Sequence, residues 1–156
     1  MVRNALLADL DAVMALLEGA RAWHREQGLP VWSGFDRREL AADIARRCVF
    51  LADACATVTL VEEDLVWPTA AAALYVHRLA SARRGMGAQL LTWAGRLALE
   101  RRKSCLRLET WAENRRMRDY YERHGFRHVT DRFYPADAAV PQDYRGTWKS
   151  LYQRDL

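Results

Sequence analysis

Apolar residues Leu10, Val13, Met14, Leu16 and Leu17 recur near helical spacing behind Asp9, a residue type suited to an N-cap, and predict an amphipathic helix from Asp9 to about Gly28. The break Gly28-Leu29-Pro30 leads to a second helix. There Asp36 and Glu39 stand at the capping-box offset, and Leu40 and Ile44, with Ala41 beside them, form the buried stripe. Both helices precede any strong strand signal. The period then changes: Val49-Phe50-Leu51 and Thr57-Val58-Thr59-Leu60-Val61 read as an antiparallel pair of strands turning around Asp53-Ala54.

After a loop from Asp64 to Pro68, the apolar run from Ala72 to Ala80 is short enough for a buried central strand, although its alanines also permit a helix. It enters the turn Ser81-Ala82-Arg83-Arg84-Gly85-Met86-Gly87. A helix follows with Leu90, Leu91, Ala94, Leu97 and Ala98 on one face. Cys105 to Trp111 reads as a strand, Asn114 to Gly125 as a helix stopped by glycine, and Val129 and Trp148 to Leu156 as closing strands around a loop from Tyr134 to Asp143. No internal repeat, linker or low-complexity tract interrupts the 156 residues, which predicts a single domain over 1–156 with a mixed α/β, α+β content.

Composition narrows the function classes. Hydrophobic residues make up 51% and charged residues 28%, a globular balance that excludes disordered and fibrous classes. The net charge of +4 raises the question of a nucleic-acid partner. However, 22 of the 24 basic residues are arginine, a skew expected of a GC-rich genome, and they are scattered among acids with no nucleic-acid-binding signature. The expectation is therefore no nucleic acid. Without a long uncharged apolar run or a signal-like N-terminus, the chain is expected to be cytoplasmic with no membrane partner. Cys48, Cys55 and Cys105 show no metal or disulfide spacing, so they are expected to be buried small apolar residues, and no metal site is expected.

A strand, a basic glycine-containing turn and a helix together suit a pyrophosphate, because unpaired amides of the first helical turn point at the anion and glycine lets it approach. The turn lacks the G-x-G-x-x-G of a dinucleotide fold and the Gly-Lys-Ser/Thr ending of a P-loop. Ala82-Arg83-Arg84-Gly85-Met86-Gly87-Ala88 instead resembles the coenzyme-A signature Gln/Arg-x-x-Gly-x-Gly/Ala of the GNAT superfamily of N-acetyltransferases, with Ala82 where Gln or Arg is usual and Arg83 and Arg84 beside it. Asn114 to Phe126 resembles the family's second signature, Asn followed by a helix carrying Tyr and ending in Gly-Phe. With both signatures in order, the resemblance covers nearly the whole chain and implies the GNAT fold, a central, mostly antiparallel twisted sheet flanked by helices.

The resemblance also implies an activity: transfer of an acetyl group from acetyl-CoA, as cosubstrate, to an amine of a small molecule or peptide. A GNAT-fold domain that binds coenzyme A without catalysis is the alternative. It implies that the strand ending Val76 to Ala80 splays from the strand at Leu106–Leu108 so that free backbone near Leu79 and Ala80 meets the pantetheine arm and thioester, that Arg83, Arg84, Gly85, Met86, Gly87 and Ala88 hold the pyrophosphate, and that Asn114 contacts the cofactor while also capping its helix. Tyr121, four residues before Gly125, matches the general-acid tyrosine that protonates the leaving thiolate. His77 resembles the histidine of arylalkylamine acetyltransferases that assists amine deprotonation, with Glu109 and Asp64 as alternative bases. Trp23, Trp32, Phe35 and Trp67 fall in segments that build the acceptor side, and homodimers are common in the family.

Overall fold

The computed structural model describes residues 1–156. In chain order the elements are strand β1 (Val2–Asn4), helices α1 (Leu10–Glu26) and α2 (Arg37–Ala45), strands β2 (Val49–Ala52), β3 (Ala56–Val61) and β4 (Ala73–Ser81), helix α3 (Met86–Glu100), strand β5 (Cys105–Trp111), helix α4 (Arg115–Arg123), and strands β6 (Arg127–Tyr134) and β7 (Thr147–Asp155). The strands form one sheet in the order β1-β2-β3-β4-β5-β7-β6. Every neighbouring pair is antiparallel except β4 and β5, which are joined by the α3 crossover that parallel strands require.

Period-two alternation distributes the core over both faces of the sheet. Phe50, Ala52, Val58 and Leu60 face the same layer as Leu90, Leu91, Ala94 and Ala98 of α3, together with Leu74, Leu106 and Leu108 of the central strands. Val49 and Leu51 point the other way, into a layer with Val13 and Leu17 of α1 and Leu40 and Ile44 of α2. Each fully buried leucine contributes roughly 1.5–3 kcal/mol relative to exposure. Coverage on both faces explains why these strands read as nearly continuous apolar runs.

Several local expectations need correction. A three-residue strand, β1, precedes the first helix and pairs with β2, so the helices do not come first. Its length leaves no periodic signal. The Asp9 side chain does not cap α1; it accepts from the Leu6 amide at 2.7 Å and binds Arg3 at 2.6 Å, closing the 3-10 turn at Leu7–Asp9. Asp36 does cap α2, accepting from the amides of Arg38 at 2.7 Å and Glu39 at 3.3 Å. Glu39 does not complete the box, because its carboxylate reaches Arg78 at 3.5 Å. Of the cysteines, Cys105 is buried, while Cys48 and Cys55 are half-buried. No helix is long and apolar enough to cross a membrane.

The β2–β3 hairpin turns through Asp53 (φ 46°) and Ala54 (φ 54°), both in the left-handed region although neither is glycine. A left-handed residue with a Cβ costs roughly 1–2 kcal/mol, which glycine avoids at a smaller entropic penalty. Ala54→Gly is therefore expected to stabilise the protein by about 0.5–1 kcal/mol and raise Tm by about 1–4 °C in a thermal melt. A lower Tm would contradict this account of the turn.

Candidate active site

β4 and β5 are in register only at Ala73↔Cys105, Leu74↔Leu106 and Tyr75↔Arg107. Beyond these pairs Val76–Leu79 and Leu108–Trp111 part, and a cleft of about 440 Å3 opens, with His77, Leu79, Glu109 and Trp111 among its walls. On its other side β4 is also irregular: its register with β3 jumps between Thr57↔Ala80 and Thr59↔His77, and Arg78 sits at φ 49°. Arg78 is held there by α2, its guanidinium 2.5 Å from Asp43 Oδ2. Asp43 is buried and also binds Arg46. On β5 the Glu109 side chain is only 2% exposed while the residue as a whole is half-buried, so its main chain is what solvent reaches.

His77 projects between two carboxylates. Its Nε2 lies 3.1 Å from Asp64 Oδ2, an ion-pair contact without hydrogen-bond geometry, and its Nδ1 lies 3.7 Å from Glu109 Oε1. Burial pulls the imidazole pKa down, but the Asp64 contact and the Glu109 charge outweigh it, so His77 titrates above its ordinary value. Burial pushes the Glu109 carboxyl up, with His77 opposing. The Tyr144 hydroxyl and Trp67 Nε1, at 3.0 Å, donate to the two Glu109 oxygens. Oxygen or nitrogen atoms of Asp64, His77 and Glu109 lie within 4.8 Å of one another, close enough to share a cation. With both Glu109 oxygens already accepting hydrogen bonds, the trio is better described as an imidazole clamped by two acids.

The cleft brings His77, Leu79, Asn114 and Tyr121 together with the alternative bases Asp64 and Glu109. Asn114 Oδ1 caps α4 by accepting from the Met117 amide at 3.1 Å, while its buried Nδ2 has no partner, so capping leaves a donor free. Tyr121 is 7% exposed, and burial pushes its phenol pKa well up. Ala80 does not line the cleft; it pairs with Thr57 and packs in the layer under α1 and α2. Of the aromatic candidates Trp32 and Phe35 line the cleft, whereas Trp23 lies under the Arg116 guanidinium and Trp67 packs against Tyr75 while holding Glu109.

The Arg83–Ala88 turn lies beyond the cleft, where β4 ends. Gly85, at φ 85°, is the N-cap residue of α3. The amides of Arg84, Gly85, Gly87 and Ala88 donate to no backbone carbonyl, while that of Met86 returns to Arg83. Arg83 and Arg84 are exposed, and a Cβ on Gly87 would stand 3.0 Å from the Tyr120 hydroxyl. Tyr120 therefore faces this turn while its neighbour Tyr121 faces the cleft, so α4 connects the two regions.

Lys149 escaped the sequence reading. It is 4% exposed, lines the cleft, and places its ammonium 3.6 Å from the Trp111 ring centroid; burial lowers its pKa to about 8. The available signal was its rarity, as one of two lysines, in a strand whose alternation turns it inward beside outward-facing Trp148.

A sheet parted between two parallel central strands, with a helix N-terminus of free amides just beyond, is the acetyltransferase fold anticipated from the two motifs. The sequence model of the acetyltransferase (GNAT) domain matches residues 45–128, over half of the chain, and the chain belongs to that family. It is similar to YesJ, an uncharacterized N-acetyltransferase of Bacillus subtilis strain 168, at 27% identity over 141 residues covering 78% of each chain. Its fold matches a GNAT-family acetyltransferase of Listeria monocytogenes (TM-score 0.76, 22% identity, 100% of this chain and 94% of that one). It also matches the PaiA N-acetyltransferase of Thermoplasma acidophilum in complex with coenzyme A (TM-score 0.70, 13% identity, 100% and 98%).

The clamp predicts a titration. The imidazole signals of His77, followed by NMR, should have a midpoint above the ordinary value near 6.5, and Asp64→Asn should lower that midpoint. Because the folded-state pKa is raised, His77 contributes stability that is complete below the unfolded value and lost as pH rises through the folded one. A midpoint unchanged by Asp64→Asn would show that the contact carries no charge coupling.

Proposed function

We propose that this protein transfers an acetyl group from acetyl-CoA to an amine by direct attack, with the acceptor entering the cleft between β4 and β5. The observation that carries the reading is the convergence of parted strands, a free Asn114 amide group and a buried phenol at one opening. The cosubstrate supplies an acetyl group activated as a thioester. The four free amides at the start of α3, with Arg83 and Arg84 beside them, suit its pyrophosphate, and the Gly87 hydrogen leaves room that a Cβ would fill. Asn114 Nδ2 is a buried donor placed to bind a carbonyl of the pantetheine arm.

His77 accepts a proton from the acceptor's ammonium once pH exceeds its raised pKa, so that a neutral amine forms within reach of the thioester. As the amine nitrogen bonds to the acetyl carbon and the carbon–sulfur bond breaks, Tyr121 gives its proton to the departing sulfur, and the proton shed by the nitrogen as it becomes an amide restores the phenol. A phenol whose ionisation is suppressed by burial keeps that proton until negative charge develops beside it. The unpaired backbone near Leu79 offers an amide to the carbonyl oxygen as its charge grows.

Tyr121→Phe is expected to lower kcat by about 10²–10⁴-fold in a thiol-release assay, with little change in KM for acetyl-CoA. Tyr120→Phe belongs in the same assay with a different expectation: because its hydroxyl abuts Gly87, it should alter coenzyme affinity before it alters kcat. Wild-type kcat in Tyr121→Phe would contradict the assigned acid role, and coenzyme binding without thiol release over an amine panel would contradict the transfer reading.

A further inference from the structure

The cleft contains one cation that touches no carboxylate: Lys149, on which Asp143, Glu109 and Glu113 act only at longer range. Arg78 is paired with Asp43 and Glu39, and His77 is clamped by Asp64 and Glu109. Of the buried and half-buried acids, Asp143 accepts from the Ser33 amide at 3.0 Å and Glu109 accepts from Tyr144 and Trp67, while Asp36 caps α2; Glu63, which has no partner, is exposed to solvent. Among the basic side chains of the cleft Lys149 alone makes no ion pair or hydrogen bond; its ammonium rests 3.6 Å from the Trp111 centroid and 4.8 Å from that of Tyr144. Aromatic faces fix the position of an ammonium but leave its N–H groups to other partners. A buried charge is expensive unless an opposite charge meets it, and methionine would fill the same space without that cost.

We propose that Lys149 binds a carboxylate carried by the acceptor, which makes the substrate class amines with an anionic group one or two carbons from the nitrogen, amino acids above all. The inference rests on the cleft being the acetyl-acceptor site. Its geometry follows from register: Lys149 pairs with Trp111, and Leu151, two residues along the same face, pairs with Glu109. Two residues of strand set the backbone positions of Trp111, beside the ammonium, and Glu109, in the acidic clamp, about 7 Å apart. A zwitterion bridges such a gap with a hydrogen bond at each end, its ammonium toward Glu109 and His77 and its carboxylate toward Lys149. Trp32 and Phe35 line the same cleft and offer apolar surface to the remainder of the acceptor.

The test uses matched acceptors: an amino acid and its decarboxylated amine, such as tyrosine with tyramine and phenylalanine with phenethylamine. For the wild-type protein, thiol release should give at least a roughly tenfold higher kcat/KM for the carboxylate-bearing member. Lys149→Met should cost that member about 10–100-fold and leave the amine nearly unchanged, while Lys149→Arg, which keeps the charge, should recover part of the loss. A wild-type preference for the decarboxylated amines, or an equal loss on both members in Lys149→Met, overturns the proposal. The wild-type comparison needs no variant, so it decides the matter even if Lys149→Met unfolds. Release with decarboxylated amines alone overturns the carboxylate subsite and spares acetyl transfer; no release with any amine overturns both.

Discussion

Parallel strands β4 and β5 share three residue pairs and then separate, leaving main-chain groups of two central strands without ladder partners. A buried polar group left unpaired costs roughly 1–3 kcal/mol, so the separation persists only where something imposes it. The means are visible on both strands. On β4, the register jump opposite Thr57–Thr59 and the left-handed Arg78 bend the strand, and the buried Asp43 of α2 holds Arg78 in place. β5 stays paired with β7 along its full length, from Cys105↔Asp155 to Trp111↔Lys149, and so cannot follow β4. The first strand is pulled away and the second is anchored.

The cleft's chemistry follows from this separation. His77 lies next to the strained residue and is turned toward Asp64 and Glu109; Asn114 and Tyr121 approach from the start and last turn of α4. α4 serves both ends of the site, because adjacent tyrosines on it face different regions: Tyr121 the cleft and Tyr120 the Gly87 turn. Charge is arranged unevenly within the opening, with the clamped imidazole near β4 and the lone ammonium of Lys149 on β7.

Much of this was legible in the residues. β5 runs over the anticipated Cys105–Trp111, the hairpin turns at Asp53-Ala54, and α4 starts after Asn114 and stops before Gly125, because period, turn chemistry and capping act locally. Both family motifs stand on the elements expected to carry them. What stayed hidden depends on tertiary partners. β1 is held by its pairing with β2, Asp9 is drawn away from its helix by Arg3, and Asp43 and Lys149 gain their roles only from residues 35 and 38 positions away in the chain, Arg78 and Trp111. The separation of β4 from β5 left no periodic trace, since Val76 to Ala80 reads as ordinary strand, and was expected only through the family resemblance.

The central claim is that the unpaired amides at the end of β4 and the start of α3 receive the cosubstrate's phosphates. Titrating the 15N-labelled protein with coenzyme A measures this directly, through the backbone amide signals. The account predicts that Arg84, Gly85, Gly87 and Ala88 shift most and saturate together, with little change at Met86, whose amide is already bonded to Arg83. Saturable binding whose largest shifts fall elsewhere, with these four amides unmoved, would contradict it.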